Sequence, residues 1–274
     1  MWRTLPEVAG LYYELAGKSD GPPLILSPGL GGSASYWAPN LAALGETHCL
    51  VLYDHRGTGR SNRRLPDPVT VAAFADDIVQ LMDGIGIGQA SLVGHAAGGI
   101  AGLALALKAP ERLDKLVIVN GWAAPDPHFA RCFDTRLTLL RDSGVRAYLH
   151  AQPIFLYPAE WISEHSAHLD AEEDALFGHF PAVETMEKRI AALRAFDISL
   201  GLREITIPVL ALSAADDMLV PARCSDLLVE GIANATAARM VWGGHACNVT
   251  DPFNFNRLVR QFLDLDRSTP KPGS

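Results

Sequence analysis

Short runs of apolar residues alternate with amphipathic stretches through the first half of the chain. The apolar runs have the composition of strands buried on both faces of a sheet. Residues 71–82 carry apolar side chains on one helical face, whereas residues 98–107 are apolar on all sides and are expected in the core. The pattern predicts strands at 11–15, 23–27, 48–53, 91–93 and 116–119, and helices at 36–44, 71–82 and 98–107. This alternation favours a doubly wound α/β fold, a mostly parallel sheet with helices on both faces.

The pattern changes after residue 122. Residues 134–197 show helical and loop patterns and no strand pattern, and Pro153, Pro158 and Pro181 are expected to divide them into short pieces. The alternation resumes with predicted strands at 208–213 and 238–242 and helices at 221–229 and 254–265. We predict one α/β core domain from residues 1–122 and 198–266, a helical cap insertion over 123–197 that covers the carboxyl ends of the strands, and a flexible tail at 267–274.

Charge and hydropathy narrow the class of protein. The chain of 274 residues has a net charge of −8 and a pI of about 5.6. No basic surface therefore indicates binding to nucleic acid or to an anionic membrane. No apolar run approaches the ~18 residues that span a bilayer, and the N-terminus lacks the apolar core of a signal peptide. We expect a cytoplasmic protein that binds a small molecule, and a homodimer is the one assembly left open.

The four cysteines, at positions 49, 132, 224 and 247, form no C-x-x-C pair and have no histidine at zinc-finger spacing. We expect free thiols, and Cys247 is of interest because it follows His245 by two positions. His165 and His168 lack a nearby carboxylate pattern, so exposed helix histidines are favoured over a metal site. We expect neither a metal ion nor a cofactor.

Residues 90–99, with the sequence ASLVGHAAGG, predict a buried strand that turns sharply into a helix. Gly94 and Gly98 flank Ala96 at the spacing of a nucleophile elbow, G-x-S-x-G. Such a turn needs small flanking residues, and it forces the central residue towards a positive φ that only glycine adopts readily. That strain normally serves to expose a serine hydroxyl. Because Ala96 occupies the position, the chain has the scaffold of a serine hydrolase without its attacking atom.

A glycine-rich loop, residues 27–33 with the sequence SPGLGGS, directly follows a predicted strand. A loop of this kind can turn its N–H groups into a cleft. The amides of Leu30 and Ala97 are the expected donors of an oxyanion hole. A phosphate-binding loop is disfavoured, since no Lys-Ser/Thr follows the glycines and the G-x-G-x-x-G spacing is absent. A tight turn without a binding role stays open.

An acid and a base follow the elbow in the chain order of such hydrolases, elbow, Asp, His. Asp216 and Asp217 end a late predicted strand, and the proline four residues further on selects Asp217. His245 lies in a glycine-containing loop after the last predicted strand, a context that no other of the nine histidines has. The alternatives are that the aspartates cap the following helix and that His245 is a surface residue.

Two further groups of polar residues lie outside the predicted catalytic motifs. Residues 53–61, with the sequence YDHRGTGRS, fit a D-x-R-G-x-G-x-S turn in which Asp54 and Arg56 organise the loop. His128, Arg131 and Arg136 lie near the start of the insertion. They would hold an anionic substrate or form a solvated surface.

Several stretches resemble the pyrimidine-utilisation protein D (RutD) family of the α/β-hydrolase superfamily. They lie between residues 22 and 262 and are Asn120-Gly121-Trp122, Arg131-Cys132-Phe133, Ala151-Gln152-Pro153, Phe155-Leu156-Tyr157-Pro158-Ala159 and, at 243–252, GGHACNVTDP. The resemblance implies an α/β-hydrolase fold, alanine at the elbow, and a role in uracil degradation. The implied reaction is hydrolysis of carbamate or aminoacrylate, both of which also break down unaided.

The expected site has three parts. His245 and Asp217 are the catalytic pair beside Ala96, the empty nucleophile position, and Leu30 and Ala97 form the oxyanion hole. The substrate-binding candidates flank these motifs or the family-like stretches and are Gly29, His95, Trp122, Arg131 and Cys247.

An alanine at position 96 excludes an acyl-enzyme at the elbow. We hypothesise that water occupies the vacated space and that His245, oriented by Asp217, deprotonates it. In serine proteases the oxyanion hole and binding alone still give roughly 10³–10⁴-fold over water, about 4–5 kcal/mol, which suits a labile substrate. The alternatives are a non-catalytic ligand-binding homologue and a serine esterase inactivated by a Ser-to-Ala replacement at position 96. A cofactor-independent oxygenase on the same fold is more remote.

Overall fold

The computed structural model describes residues 7–264, and its centre is an eight-stranded sheet. The strands are β1 (Glu7–Val8), β2 (Leu11–Gly17), β3 (Pro23–Ser27), β4 (Cys49–Tyr53), β5 (Ala90–His95), β6 (Leu113–Val119), β7 (Val209–Ala214) and β8 (Ala235–Met240). Their order across the sheet is β1-β2-β4-β3-β5-β6-β7-β8. Strand β2 pairs antiparallel with β1 and β4, and all other pairs are parallel. The predicted mostly parallel sheet is confirmed.

Helices cover both faces of this sheet. They are α1 (Leu41–Gly45), α2 (Val71–Gly84), α3 (Ala97–Lys108), α4 (Pro127–Thr138), α5 (Gly144–Leu156), α6 (Ala159–Glu164), α7 (Ser166–His179), α8 (Val183–Arg194), α9 (Arg223–Gly231), α10 (Cys247–Thr250) and α11 (Pro252–Asp264). No helix within the described residues is long and apolar enough to cross a membrane.

Alternate residues of the central strands point into two cores on opposite faces of the sheet. Ile25 and Leu92 pack in the core formed with α2 and α3. Leu24 and Val93, their chain neighbours, pack in the core formed with α11 and Trp37. Because both faces are covered, these strands consist of continuous apolar runs, and this is why the sequence pattern locates them.

The helical insertion lies between β6 and β7 and contains α4 to α8. A π-helical turn, Leu139–Ser143, joins α4 to α5. The sequence predicts that Pro153 divides this region, but Pro153 lies inside α5, which continues to Leu156. A proline removes one backbone donor, and the remaining bonds of α5 hold the helix together. Pro158 and Pro181 do lie between helices, as predicted.

Two predicted elements differ from those in the structure, and one predicted segment lies outside the described residues. The helix predicted at 36–44 is a 3₁₀ helix, Ala34–Asn40, followed by α1, and Pro39 inside it lacks the N–H that an α-helix needs. The last strand is β8 rather than 238–242. As the edge strand, β8 pairs only with β7, and all its residues before Met240 are at least partly exposed, so no apolar run marks it in the sequence. The predicted tail at 267–274, and residues 265–266 of the core domain, lie outside the described residues.

Candidate active site

The nucleophile elbow lies between β5 and α3. Ala96 has φ 45° and ψ −105°, a conformation that strains any residue with a Cβ atom. Its N–H donates to the Val119 carbonyl at 2.8 Å, which ties the turn to the neighbouring strand. A Cβ on Gly94 would clash with the Gly98 backbone, and a Cβ on Gly98 would clash with the Ser27 carbonyl. The structure therefore contains the sharp turn that the glycine spacing predicts, with Ala96 at its apex.

Ala96 lines a cavity of about 180 Å³ between the core and the helical insertion. One water needs roughly 10–15 Å³ of such space, so the cavity can hold an organic ligand together with water. From the core, its wall includes Gly29, Leu30, His95, Ala96, Trp122 and His245. From the insertion, it includes Phe133, Arg136, Gln152, Leu156, Tyr157 and Glu172. Of the expected substrate-binding residues, Gly29, His95 and Trp122 thus lie at the cavity.

His245 and Asp217 form a buried pair, although 28 residues separate them in the chain. The Nδ1 atom of His245 lies 2.7 Å from Oδ2 of Asp217, and the two side chains are 3% and 0% exposed. The other carboxylate oxygen accepts the N–H groups of Leu219 at 2.7 Å and Val220 at 2.9 Å. Because a carboxylate accepts from Nδ1, the neutral ring carries its proton there, and Nε2 keeps a lone pair. A histidine held in this way at a cavity wall can act as a general base.

The neighbouring carboxylate of Asp216 holds the histidine loop. Its oxygens accept the N–H groups of Gly244 at 2.9 Å and Gly243 at 3.2 Å. The proline register selects Asp217 as the partner of His245, and the structure places Asp217 there. Neither aspartate caps the next helix, because α9 begins only at Arg223.

Asn120 orients the histidine loop, and sequence analysis noted it only as part of a family-like stretch. Its Nδ2 donates to the His245 carbonyl at 2.7 Å, and its Oδ1 accepts the Ala214 N–H at 3.0 Å. The backbone of Asn120 has φ 50°, a left-handed conformation that asparagine tolerates better than most residues. An asparagine directly after β6, at the carboxyl edge of the sheet, was the available signal, because ligand sites in such sheets lie at that edge.

His95 supports the same carbonyl with a second hydrogen bond. Its Nε2 donates to the His245 carbonyl at 2.9 Å. Burial, together with the nearby His245, holds the pKa of His95 well below its ordinary value, so the ring stays neutral. Its Nδ1 is buried without a hydrogen-bond partner, and a Cβ on Gly29 would lie 2.6 Å from it. Glycine at position 29 therefore leaves the room that this imidazole occupies.

Two expected substrate-binding residues, Arg131 and Cys247, are not among the residues of the cavity wall. Arg131 is exposed, since it lies on the side of α4 opposite the buried face formed by Phe129, Cys132 and Phe133. Cys247 is fully buried behind the site, where Asn120 Nδ2 donates to its Sγ at 3.7 Å. Burial also raises the pKa of the Cys247 thiol, so it remains protonated.

Arg189 of helix α8 connects the insertion to the glycine-rich loop, residues 27–33, which carries Leu30. This fully buried guanidinium donates to the Leu30 carbonyl at 3.0 Å and to the Arg56 carbonyl at 3.0 Å. It also donates to Nδ1 of His55 at 2.9 Å, which requires a neutral His55. Burial and Arg189 hold the pKa of His55 well below its ordinary value, and burial lowers the pKa of Arg189 to about 10. No local sequence motif predicts this role of Arg189.

The two expected donors of the oxyanion hole belong to the loop after β3 and to the start of α3. Leu30 is part of the cavity wall, in the loop that Arg189 fixes. Ala97 is the first residue of α3, so its N–H has no partner within the helix and is available to an oxyanion. Within residues 7–264, no group of three or more His, Cys, Asp or Glu side chains could hold a metal ion.

Comparison with known proteins places this geometry in a family. Residues 22–252 match the family model described as the alpha/beta hydrolase fold. A relative from Caulobacter sp. (strain K31), named "Putative carbamate hydrolase RutD", is 57% identical over 93% of this chain and 96% of its own length. This chain belongs to the RutD family of α/β hydrolases. RutD relatives from Variovorax paradoxus and Serratia proteamaculans are 49% and 46% identical, each over 92% of this chain and 96% of the relative.

Solved structures share the fold of this RutD family member. An enol-lactonase from Burkholderia xenovorans LB400 is similar with a TM-score of 0.84 and 26% identity, over 93% of this chain and 98% of that protein. A hydrolase from Pseudomonas aeruginosa PA01 is similar with a TM-score of 0.81 and 28% identity, over 92% of this chain and 94% of that protein. The α/β-hydrolase fold with a helical insertion is confirmed.

Proposed function

We propose that this protein hydrolyses a small, labile product of uracil degradation, carbamate or aminoacrylate, by means of a water molecule that His245 activates. One observation carries the proposal: the buried His245–Asp217 pair is complete beside an elbow whose nucleophile position holds Ala96. A protein that only binds its ligand has no need of an oriented base. The name of the relatives, carbamate hydrolase, supports the choice of substrate.

For carbamate, the reaction is H₂N–COO⁻ plus water to ammonia plus bicarbonate. The water lies at the Ala96 methyl, in the space that a serine hydroxyl would take. The Nε2 atom of His245 removes its proton while the water oxygen bonds to the carbamate carbon. The same proton then passes from Nε2 to the carbamate nitrogen, the C–N bond breaks, and ammonia leaves. The amides of Leu30 and Ala97 stabilise the oxygen on which negative charge increases.

For aminoacrylate, the same parts serve a related hydrolysis, H₂N–CH=CH–COO⁻ plus water to malonic semialdehyde plus ammonia. Water adds at the carbon that bears nitrogen, a proton moves to the neighbouring carbon, and the C–N bond then breaks. His245 again removes the proton of the attacking water. The two substrates therefore share a base, a water position and a leaving group, and they differ in where the carboxylate lies.

The size of the expected acceleration limits the substrate class. Without a covalent nucleophile, the available contributions are general-base catalysis, roughly 10²–10⁴-fold, and an oxyanion hole, roughly 10²–10³-fold for each donor. These contributions overlap and cannot be multiplied in full. Such an acceleration is useful for compounds that already decompose within the lifetime of a cell, and it is too small for an unactivated amide.

The test is the rate of carbamate breakdown, followed by ammonia release above the spontaneous rate, with the purified full-length chain. The His245→Ala variant should lose the acceleration, because it removes the base that Asp217 orients. His179→Ala, which removes an exposed histidine of α7, is the matched control and should keep it. Acceleration that persists in His245→Ala would overturn the water mechanism. Acceleration of aminoacrylate breakdown alone would identify aminoacrylate as the substrate, and acceleration of neither reaction would favour a binding role.

A further inference from the structure

The cavity contains a buried positive charge that the proposed chemistry does not use. Arg136 of α4 is 4% exposed and belongs to the cavity wall. Its Nη2 donates to the Tyr148 hydroxyl at 2.6 Å and to Oε1 of Gln152 at 3.2 Å. Its Nε is buried and has no hydrogen-bond partner. No carboxylate among residues 7–264 forms an ion pair with Arg136.

A buried cation without a counter-ion is costly, because desolvation is not offset by an opposite charge. Aromatic rings compensate in part: the guanidinium carbon lies 5.2 Å from the centre of Phe133, 4.9 Å from Tyr148 and 5.7 Å from Phe155. These contacts orient the guanidinium but do not neutralise it. Glu172, the acidic side chain at the same wall, does not replace the missing partner, because it is exposed and forms no ion pair with Arg136 among the described residues.

Arg189 shows the difference between a structural buried arginine and Arg136. The terminal nitrogens of Arg189 donate to three acceptors inside the protein, among them the Leu30 carbonyl, and Arg189 is absent from the cavity wall. Both arginines have a buried Nε without a hydrogen-bond partner and only uncharged acceptors, but Arg136 has two acceptors instead of three and lies at the cavity wall. The guanidinium of Arg136 can therefore bind an anion that enters the cavity.

Arg136 lies on the insertion side of the cavity, away from the elbow. A series of ring contacts leads to it from Trp122 at the end of β6: Trp122 to Phe129 at 4.5 Å, Phe129 to Phe133 at 4.7 Å, and Phe133 to Arg136. The Leu156 carbonyl, about one helical turn or ~6 Å beyond Gln152 on α5, accepts the N–H of Ala246 in the histidine loop. The guanidinium thus belongs to the part of the wall that the insertion forms, whereas Leu30 and Ala96 belong to the part that the core forms.

We propose that Arg136, supported by Gln152, forms a subsite for a substrate carboxylate, and that the substrate is a short organic acid whose reacting carbon lies further along its chain. This inference rests on the proposed function in taking the cavity as the place of reaction. A carboxylate accepts two parallel N–H bonds from a guanidinium, which neutralises the charge and fixes the ligand's direction. Carbamate cannot use this subsite and the oxyanion hole together, because its carboxylate carbon is the reacting carbon. A chain such as that of aminoacrylate can.

The experiment measures binding of propionate and of its uncharged isostere, propionamide, to the full-length protein by saturation-transfer NMR titration. Wild type should bind propionate and bind propionamide at least tenfold more weakly. Arg136→Met should lose roughly tenfold or more of the propionate affinity, the size expected for a hydrogen-bonded charge pair, while Arg136→Lys should lose less. Arg131→Met, on the exposed side of the same helix, is the matched control and should bind propionate as wild type does.

A second readout keeps the test independent of folding and of catalysis. Without ligand, Arg136→Met should unfold at an equal or higher temperature than wild type, since an apolar side chain of similar length replaces an uncompensated charge. Propionate should raise the melting temperature of wild type and of His245→Ala, but not that of Arg136→Met. Equal propionate affinity in wild type and Arg136→Met, or equal affinity for propionamide, overturns the subsite. If wild type binds propionate through Arg136 but accelerates neither carbamate nor aminoacrylate breakdown, the proposed function alone is refuted and the subsite stands.

Discussion

Replacing Asp217 by asparagine should remove the base without removing the side chain's shape. Asp217 accepts three hydrogen bonds: from Leu219 N–H, from Val220 N–H and from His245 Nδ1. The amide oxygen of asparagine can keep the two backbone bonds. Its NH₂ group then faces Nδ1 of His245 and can only donate. The imidazole must therefore carry its proton on Nε2, the atom that the mechanism requires to be unprotonated.

The expected magnitudes follow from these bonds. All three bonds to the carboxylate are charge-assisted and become neutral, but the desolvation cost of the buried charge disappears as well. The free energy of unfolding should therefore fall by only about 1–2 kcal/mol. Activity should fall far more. Loss of the general base removes roughly 10²–10⁴-fold, which is about 3–5 kcal/mol of barrier. In a serine protease, the same change of tautomer costs roughly 10⁴-fold in kcat.

The assay compares the acceleration of carbamate breakdown, and of aminoacrylate breakdown, between wild type and Asp217→Asn at equal protein concentration. Urea unfolding of both proteins measures the change in the free energy of unfolding. Asp20→Asn, whose side chain is 80% exposed, controls for the loss of one negative charge. If Asp217→Asn keeps more than a tenth of the wild-type acceleration while it is fully folded, His245 does not act through Nε2 and the mechanism is wrong.

Two further outcomes are expected. Ala96→Ser should react with p-nitrophenyl acetate to release a burst of one nitrophenolate per protein, because the backbone already holds the elbow conformation and His245 is in place; stability should change by less than about 1 kcal/mol. The absence of a burst would contradict the alignment of the elbow with His245, and rapid steady turnover would favour the esterase alternative. The free energy of unfolding should also fall between pH 7.5 and pH 5.5, as measured in urea. The folded pKa values of His55 and His95 lie below the ordinary 6.5, so only the unfolded chain takes up these protons as the pH drops through 6.5. An unfolding free energy that stays constant or rises over this interval would contradict the buried, neutral state of both rings.

The fold and the central pair of the site were readable in the sequence, because both depend on local spacing. Strands buried on both faces appear as apolar runs, and the Gly94 and Gly98 positions mark the elbow whatever residue lies between them. Parallel strands present their carboxyl ends at one edge of the sheet, so an acid and a histidine after successive strands must meet there. The structure accordingly brings Asp217 and His245 together.

The hydrogen bonds that hold the loops around the Asp217–His245 pair are visible only in the tertiary structure. Asn120 reaches the His245 carbonyl across 125 residues of sequence, and Arg189 reaches the Leu30 carbonyl across 159. No spacing rule connects such distant partners. The Asn120 contact depends on how the loops after β6 and β8 meet within the core, and the Arg189 contact depends on how the insertion packs on the core. The end of a strand gave a faint signal for Asn120, and nothing local marked Arg189.

The two arginines of α4 show, within one helix, the same difference between what the sequence predicts and what only packing determines. The sequence named both Arg131 and Arg136 as candidates for an anion, and the structure buries only the second at the cavity. Arg136 shares a helical face with the buried Phe129, Cys132 and Phe133, whereas Arg131 lies opposite. Periodicity alone defines that face. Only the packing of α4 over the elbow makes it the wall of a cavity, because a helical face acquires a chemical role from what lies across from it.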